Sequence, residues 1–273
     1  MPPLCFVLGR KVKVSIITFT NWIATAPSWI QGLPEWLQTL CYQFWQTFIY
    51  QDRWHFFVDG LKITFIVTLG ALALGIIIGI IIAVIRVSYD NSIEKKIPLV
   101  IRILNSFCKL YLTIIRGTPM MVQLLIMGFV IMVPKTDGGM IVCGIVTLGI
   151  NSGAYVAEIA RSGIMSVSRG QTEAGRSLGL NYFQTMRLII IPQAVKNILP
   201  ALGNEMITLL KDTSLVSVIA LRDVTKQAQN IVSKTYQAYI PYISLAVIYL
   251  IIVIVLTKLL GIFERRLRKS DHR

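Results

Sequence analysis

Ionisable and polar residues in one apolar stretch are the first candidates for chemistry in this sequence. Lys211 and Asp212 are adjacent, and Glu205 precedes them in the same stretch. A cation beside an anion suits the carboxylate and the ammonium of an α-amino acid, whereas a mutual Lys211–Asp212 ion pair is an equally good interpretation. A charge at the centre of a bilayer costs about 2.5–3.5 kcal/mol, so such residues usually face a cavity or a partner. A candidate solute path therefore comprises Asn151, Glu205, Lys211, Asp212, Thr213 and Ser214, with an interhelical hydrogen bond slightly favoured over a ligand contact for Asn151.

The sequence offers little for covalent or metal chemistry. Its two histidines are His55 and His272, and its four cysteines include no CxxC pair. A Ser-His-Asp hydrolase or a zinc site needs a denser set of such groups. The sequence holds no GxxxxGK[ST] motif, so ATP, if it is used, is hydrolysed by another chain. We therefore predict no catalytic site, no metal site and no cofactor bound by this chain.

A polar loop carries the clearest local signals of structure. Ser168-Arg169-Gly170-Gln171 has the S-x-x-Q spacing of a capping box, and a helix is predicted over Gln171–Leu178. Gly179 suits a left-handed C-terminal cap, and Asn181-x-x-Gln184 begins a second helix at once. Ala174 and Leu178 share a face of the first helix, with Tyr182 and Phe183 beyond the turn. These apolar groups either dock on a partner or fold back on the rest of the chain.

The elements that position these residues must cross a membrane. Of 273 residues, 55% are hydrophobic and only 15% are charged, and the mean hydropathy is +0.67. A soluble domain averages about 25% charged residues, so a soluble enzyme is excluded. The net charge of +14 could indicate nucleic acid, but in so apolar a chain it favours Lys and Arg held in cytoplasmic loops.

Long uncharged runs predict about five transmembrane helices in an all-α integral membrane protein. The fourth is the least certain, since it carries Lys196, Glu205, two prolines and Gly203. Pro200 and Gly203 could break its helix, and broken helices expose backbone groups to polar solutes. GxxxG pairs in the first and third spans, at Gly75–Gly79 and Gly149–Gly153, predict close helix packing. The spans are Ile63–Ile85, Gly117–Pro134, Gly138–Ala157, Leu188–Leu210 and Thr235–Thr257.

Basic residues predict the topology. With Arg86–Arg116, Arg161–Lys196 and the tail from Lys258 placed inside, 17 of the 27 Lys and Arg residues are cytoplasmic. The N-terminus is then outside and the C-terminus inside. The amphipathic stretch Ile93–Arg116 is either a helix on the cytoplasmic interface or an extension of the second span.

The N-terminal segment 1–57 differs in composition from the rest. All five tryptophans of the chain fall in it, which indicates an interfacial or extracytoplasmic segment. Arg10, Lys11 and Lys13 followed by Val14–Ala26 resemble a signal peptide, and a further span over Val14–Trp29 is the alternative. We predict a transmembrane domain over 58–266, with the polar loop at 164–192, and a cytoplasmic tail over 267–273.

The polar loop resembles the EAA loop of ABC-importer permeases, whose pattern is EAA-x3-G-x9-I-x-L-P. Here the residues are Glu173-Ala174-Gly175-x-x-x-Gly179 and, nine residues later, Ile189-x-Ile191-Pro192, so that Gly175 replaces an alanine and Ile191 a leucine. An ordered series of further motifs from about Gly60 to Arg266 is similar to the polar amino acid (His/Glu/Gln/Arg) uptake family. They are Arg116-Gly117-Thr118-Pro119, Asn151-Ser152-Gly153-Ala154-Tyr155-x-x-Glu158, Pro192-Gln193-Ala194, Asn204-Glu205 and Lys211-Asp212-Thr213-Ser214-Leu215.

The resemblance implies a multi-pass permease subunit of the bacterial cytoplasmic membrane, without enzymatic activity of its own. A dimer of ATP-binding cassette ATPases, holding ATP-Mg, would dock on the loop, where Glu173 meets a basic group or acts at the helix N-terminus. An extracytoplasmic amino-acid-binding protein and a second permease chain, identical or related, complete the implied partners, with the lipid bilayer and without nucleic acid. An ion-coupled secondary transporter or a passive channel for small polar solutes is the alternative. The implied coupling residues are Glu173, Ala174, Gly175, Leu178, Gly179 and Tyr182.

Overall fold

The computed structural model describes residues 19–90 and 98–269. These residues are mostly helical, as their helical periodicity and long uncharged runs predict. The described residues contain no β-strand, in agreement with the predicted all-α class. The helices are α1 (Ser28–Gln31), α2 (Glu35–Phe44), α3 (Trp54–Asp90), α4 (Leu99–Gly117), α5 (Met120–Ile126), α6 (Asp137–Met165), α7 (Arg169–Ser177), α8 (Tyr182–Thr185), α9 (Ile191–Asp212), α10 (Val224–Thr235) and α11 (Tyr239–Lys269). Single π-helical turns extend α2, α5 and α8, and a 3₁₀ helix, Thr213–Ile219, follows α9.

Three of the described helices, α3, α6 and α11, are each long and apolar enough to cross a bilayer. The predicted spans Ile63–Ile85 and Gly138–Ala157 lie wholly inside α3 and α6. The span predicted from Thr235 begins instead at Tyr239, because Tyr236 has a left-handed backbone conformation that ends α10. These three helices thus follow directly from the uncharged runs of the sequence.

The span predicted over Gly117–Pro134 is only partly helical in the structure. Helix α5 and its π-helical turn cover only Met120–Ile131, about 18 Å, which is shorter than a hydrocarbon core of about 30 Å. They meet the criterion for a span only together with α4, to which they are bent by 104°. Pro119 causes the break, since Thr118 before it takes the extended conformation that a following proline favours.

The fourth predicted span corresponds to α9, which is not among the helices apolar enough to cross a bilayer. The expectation that Pro200 and Gly203 break this helix is wrong, because α9 continues through both residues. Neighbouring helices hold it: Ile198 lies against Gly163 of α6, and Leu260 of α11 lies against Gly203. The count of five spans and the orientation of the termini stay predictions.

The described residues form two compact units, of which residues 19–61 and 224–248 make up the first. Its centre is Tyr42, which is 2% exposed and has the rings of Phe19, Trp22 and Trp45 within 6.2 Å. Arg53 is buried beside it and donates a 2.9 Å hydrogen bond to the carbonyl of Gln46. Trp22 and Trp45 are therefore partly internal to this unit, whereas Trp29, Trp36 and Trp54 are exposed.

The predicted further span over Val14–Trp29 is interrupted in the described residues. The helix that includes residues 19–25 ends before Pro27, and α1 begins at Ser28. Residues 14–18 and the signal-like basic residues Arg10, Lys11 and Lys13 lie outside the described residues. The division of the sequence at residue 57 stays a prediction.

The second unit comprises residues 62–223 and 249–269, with α6 packed on α3, α4, α5 and α9. The close packing predicted at the two GxxxG pairs is confirmed, and the two helices pack on each other there: a Cβ atom on Gly75 would lie 3.0 Å from Ser152, and one on Gly153 would lie 2.9 Å from Ile78. Backbones can approach this closely only where no side chain intervenes. One apolar core is centred on Val67, Leu124, Leu148, Leu209 and Val216, and a second on Ile82, Cys108, Leu112, Ala154 and Ala157.

Candidate coupling surface and polar path

The polar loop between α6 and α9 folds as a rigid helix–turn–helix. Helix α7 covers Arg169–Ser177, so it begins two residues earlier than predicted. It ends at Gly179, whose φ of +82° is the predicted left-handed conformation. The amide of Leu180 donates to the carbonyl of Gly175 at 3.1 Å, and the amide of Gly179 to that of Arg176 at 3.0 Å. This pair of bonds is a Schellman turn, which satisfies the last carbonyls of the helix.

The two predicted caps have opposite outcomes. The capping box of α8 is confirmed, since the Asn181 side chain accepts from the Gln184 amide and the Gln184 side chain accepts from the Asn181 amide, both at 2.9 Å. The capping box at Ser168 is wrong, because the Ser168 side chain makes no cap bond. The side-chain oxygen of Gln171 that this box needs accepts instead from Gln193 of α9 at 3.3 Å.

The departure from the family pattern at Gly175 has a steric cause. Gly175 is buried, and a Cβ atom there would lie 2.9 Å from Cγ2 of Thr185 and 3.0 Å from Cδ1 of Ile189. Thr185 is itself buried and donates to the carbonyl of Asn181 at 3.0 Å. Helix α7 therefore lies directly on the segment that leads into α9.

Large apolar side chains project from this loop. Leu178 is 80% exposed and Phe183 is 69% exposed, with Tyr182 and Ala174 also exposed. Within the part of the chain that the structure describes, these side chains are not buried on the chain's own helices, which argues against the fold-back interpretation of the loop. An exposed apolar surface on a polar loop suits docking of another protein.

Glu173 is exposed near the middle of α7. It is the fifth residue of that helix, so the interpretation in which it acts at the helix N-terminus is wrong, because such interactions fade beyond the first turn. A contact of Glu173 with a basic group of a partner stays a prediction.

The loop is tied to the long helices at both ends. Asn197 of α9 donates a 2.9 Å hydrogen bond to Ser166, at the end of α6, and Gln193 donates to Gln171 of α7. Gly163 of α6 is in close contact with Ile198 of α9. Helix α7 is therefore in direct contact with α9, and α9 is in direct contact with α6.

The predicted solute-path residues divide into two groups. Ser152 of α6 donates a 2.8 Å hydrogen bond to the half-buried Glu205 of α9. Next to it, Asn151 donates to Gln123 of α5 at 3.0 Å, which is the expected interhelical hydrogen bond. Asn151 therefore lies at the contact between α6 and α5, and Glu205 lies at the contact between α6 and α9.

The other four predicted residues follow one another at the end of α9. Lys211 is exposed and Asp212 is half-buried, and within the described ranges no ion pair within 4.0 Å joins them. Thr213 is buried and donates to the carbonyl of Leu210 at 2.6 Å, while the carbonyl of Ser214 accepts from Ser217 at 2.9 Å. No contact within 4.0 Å therefore joins the two charges in this conformation, and both interpretations of Lys211 and Asp212 stay predictions.

A charged cavity between α3, α4 and α6 was missed by the sequence reasoning. Its volume is about 570 Å³, and its walls include Arg86, Lys109, Arg116, Tyr155 and Glu158. Arg86 and Glu158 form an ion pair across 72 positions of sequence. The available signal was that opposite charges end the first and the third predicted spans, at the same predicted side of the membrane.

Known proteins resemble this chain over most of its length. Residues 75–269 match the profile of a family described as "Binding-protein-dependent transport system inner membrane component". The glutamine transport system permease protein GlnP of Escherichia coli (strain K12) is 36% identical over 213 residues, which are 77% of this chain and 92% of GlnP. The arginine transport system permease protein ArtQ of Bacillus subtilis (strain 168) is 35% identical over 219 residues, 79% of this chain and 94% of ArtQ.

A solved structure supports the same relationship. A chain from the crystal structure of an amino acid ABC transporter with histidines matches with a TM-score of 0.70 and 39% identity. The match covers 86% of this chain and 99% of that one. The fold is therefore that of an ABC-transporter permease.

Proposed function

Since the chain belongs to the family of binding-protein-dependent transport system inner membrane components, we propose that it is the permease subunit of an ATP-driven importer of polar amino acids. It acts in the bacterial cytoplasmic membrane with a second permease chain. A dimer of separate ATPase subunits, which bind ATP-Mg, supplies the energy. An extracytoplasmic binding protein delivers the amino acid.

The observation that carries this proposal is the rigid helix–turn–helix with its exposed apolar surface. Leu178, Tyr182 and Phe183 supply the surface on which an ATPase docks, and Glu173 meets a basic group of the ATPase. Because Gly175 lies directly on Thr185 and Ile189, a movement of α7 cannot be absorbed within the loop. It passes to α6 and α9, whose repacking alternates the access of the solute to the two sides of the membrane.

We further propose that the solute passes the polar groups on α6 and α9. The Ser152–Glu205 hydrogen bond supports this path, since it brings a half-buried carboxylate to the interface of the two helices that the loop moves. The unpaired charges at the end of α9 suit the carboxylate and the ammonium of an amino acid. The path comprises Asn151, Glu205, Lys211, Asp212, Thr213 and Ser214.

Substitutions at Gly179 test the coupling role with a matched control. Asparagine tolerates a left-handed backbone, whereas a β-branched residue does not. We expect Gly179→Val to abolish ATP-dependent uptake of radiolabelled amino acids, with membrane insertion unchanged, and Gly179→Asn to retain most of it. Gly179→Asp and Glu173→Lys should also abolish uptake, since each changes the charge of the docking surface. Normal uptake by Gly179→Val and Glu173→Lys would refute the coupling role of this loop.

A further inference from the structure

The cavity between α3, α4 and α6 has more positive than negative charge. Arg86, Lys109 and Arg116 line it, with Glu158 as the acidic residue among the lining groups of the described chain. Its volume of about 570 Å³ lies within the range of about 300–1,000 Å³ typical of small-molecule sites. The question is which of these charges are already neutralised within the protein.

The charge of Arg86 is neutralised. Arg86 pairs with Glu158, and Arg161 donates to the other oxygen of Glu158 at 3.1 Å. Arg161 also lies 3.8 Å from a carboxylate oxygen of Asp90. These two arginines and two carboxylates balance one another, so they fix the wall of the cavity without adding net charge.

Lys109 and Arg116 are left in excess. Lys109 lies over the ring of Tyr89, 5.6 Å from its centroid, and Arg116 over the ring of Tyr155 at 5.4 Å. Within residues 19–90 and 98–269, neither cation has a carboxylate within 4.0 Å. The aromatic faces orient both cations but do not neutralise them. The two residues are seven positions apart on one face of α4, about 10 Å along the helix, with the Thr113 hydroxyl between them.

Residues that line the cavity are close in the chain to residues of the proposed solute path. The Gln123 side chain accepts from Asn151 and donates to the carbonyl and the hydroxyl of Thr118 at 3.1 and 2.8 Å. Thr118 follows Gly117, which lines the cavity. Tyr155 lies one turn after Asn151 on α6. A solute that reaches Asn151 would therefore be one helical turn from Tyr155, over whose ring Arg116 lies.

We propose that Lys109 and Arg116 bind carboxylate groups of the transported amino acid, so that this permease prefers acidic and neutral polar amino acids over dibasic ones. The inference rests on the proposed import function and names the substrate subclass. A carboxylate is attracted to the two cations, and a second ammonium or guanidinium group on the solute is repelled by them.

The test is amino acid binding to the whole permease–ATPase complex in lipid nanodiscs, without the binding protein. Isothermal titration with L-glutamate, L-glutamine and L-arginine is expected to show tighter binding of the first two. Lys109→Gln and Arg116→Gln should each weaken L-glutamate binding by about tenfold or more, the usual loss for a charge-assisted hydrogen bond. Lys109→Arg and Arg116→Lys should retain it, as should Arg102→Gln, which removes an exposed cation two turns earlier on the same helix.

Three results would overturn the proposal. The first is L-glutamate affinity unchanged in both Lys109→Gln and Arg116→Gln. The second is wild-type complex that binds L-arginine more tightly than L-glutamate, or binds neither L-glutamate nor L-glutamine. The third comes from nanodiscs with and without phosphatidylglycerol. If Lys109→Gln and Arg116→Gln retain less phosphatidylglycerol than the wild type but bind L-glutamate equally well, the cavity holds a lipid headgroup. The proposed function is tested separately, in proteoliposomes that hold the wild-type permease, its ATPase and the binding protein. Failure to import any of the three amino acids with ATP there contradicts the proposed function, whatever the variants bind.

Discussion

A Cβ atom on Gly175 would lie 2.9 Å from Cγ2 of Thr185, so α7 and the segment leading into α9 are in contact without an intervening side chain. This contact explains why a glycine stands where the related loops have alanine. It also makes the coupling loop a single body, through which a force on α7 reaches α9.

The contact predicts a compensating pair of substitutions. Gly175→Ala should lower ATP-dependent uptake, because the added methyl group pushes α7 away from Thr185. Thr185→Ser removes Cγ2, and the double variant Gly175→Ala with Thr185→Ser should recover uptake. The measurement is uptake at equal membrane expression. Additive losses in the double variant would show that the two side chains do not share this contact.

The bend between α4 and α5 should depend on Gln123. Its amide donates to the carbonyl of Ile115 at 2.8 Å as well as to Thr118, across the break at Pro119. We expect Gln123→Ala to lower the free energy of unfolding by about 1–3 kcal/mol, because it leaves part-buried carbonyls without a donor. Thermal unfolding in detergent measures this, with Asn151→Ala as the control that removes only the α6 partner. Equal losses in the two variants would mean that Gln123 does not hold the bend.

Because α3 and α6 approach closely, the loss of stability on replacing a glycine should depend strongly on where that glycine lies. A Cβ atom on Gly79 would lie 2.5 Å from Val156, whereas one on Gly261 of α11 has no atom within 4 Å. Gly79→Val should therefore destabilise the chain by about 1–3 kcal/mol through overpacking. Gly261→Val, a matched helical substitution, should leave the melting temperature close to that of the wild type. Similar melting temperatures for the two variants would contradict the packing of α3 on α6.

The Arg86–Glu158 pair should show energetic coupling. Both side chains are mostly buried, so removal of either partner leaves a charge in a poor environment. Arg86→Gln and Glu158→Gln should each destabilise the chain, and the double variant should lose less than the two single losses together. A double-mutant cycle from thermal unfolding is expected to give a coupling of about 1 kcal/mol or more. A coupling of zero would show that the pair does not contribute to stability.

Features encoded locally were predictable from the sequence. Helices α3 and α6 contain the uncharged runs, and the Gly179 turn and the Asn181–Gln184 capping box follow from residues next to them in the chain. The bend before Pro119 was also encoded locally, since a residue before proline avoids the helical conformation. A count of uncharged residues alone could not reveal it.

Features that depend on distant residues were not predictable in this way. The failed cap at Ser168 depends on Gln193, and α9 passes through Pro200 because α6 and α11 pack against it. The pairing of Arg86 with Glu158 joins two spans that are far apart in sequence. Among the described residues, this pairing leaves Lys109 and Arg116 as the cations of the cavity without a carboxylate partner. Only the packing of α3, α4 and α6 brings these groups to one cavity.

The central claim is that a separate ATPase drives amino acid import through this chain. The most direct measurement is uptake of radiolabelled amino acids into proteoliposomes that contain the permease and the binding protein, with or without the ATPase subunits and ATP. We predict accumulation only when ATPase and ATP are both present, and none with the Gly179→Val permease. Accumulation driven by an ion gradient in the absence of the ATPase would contradict the account.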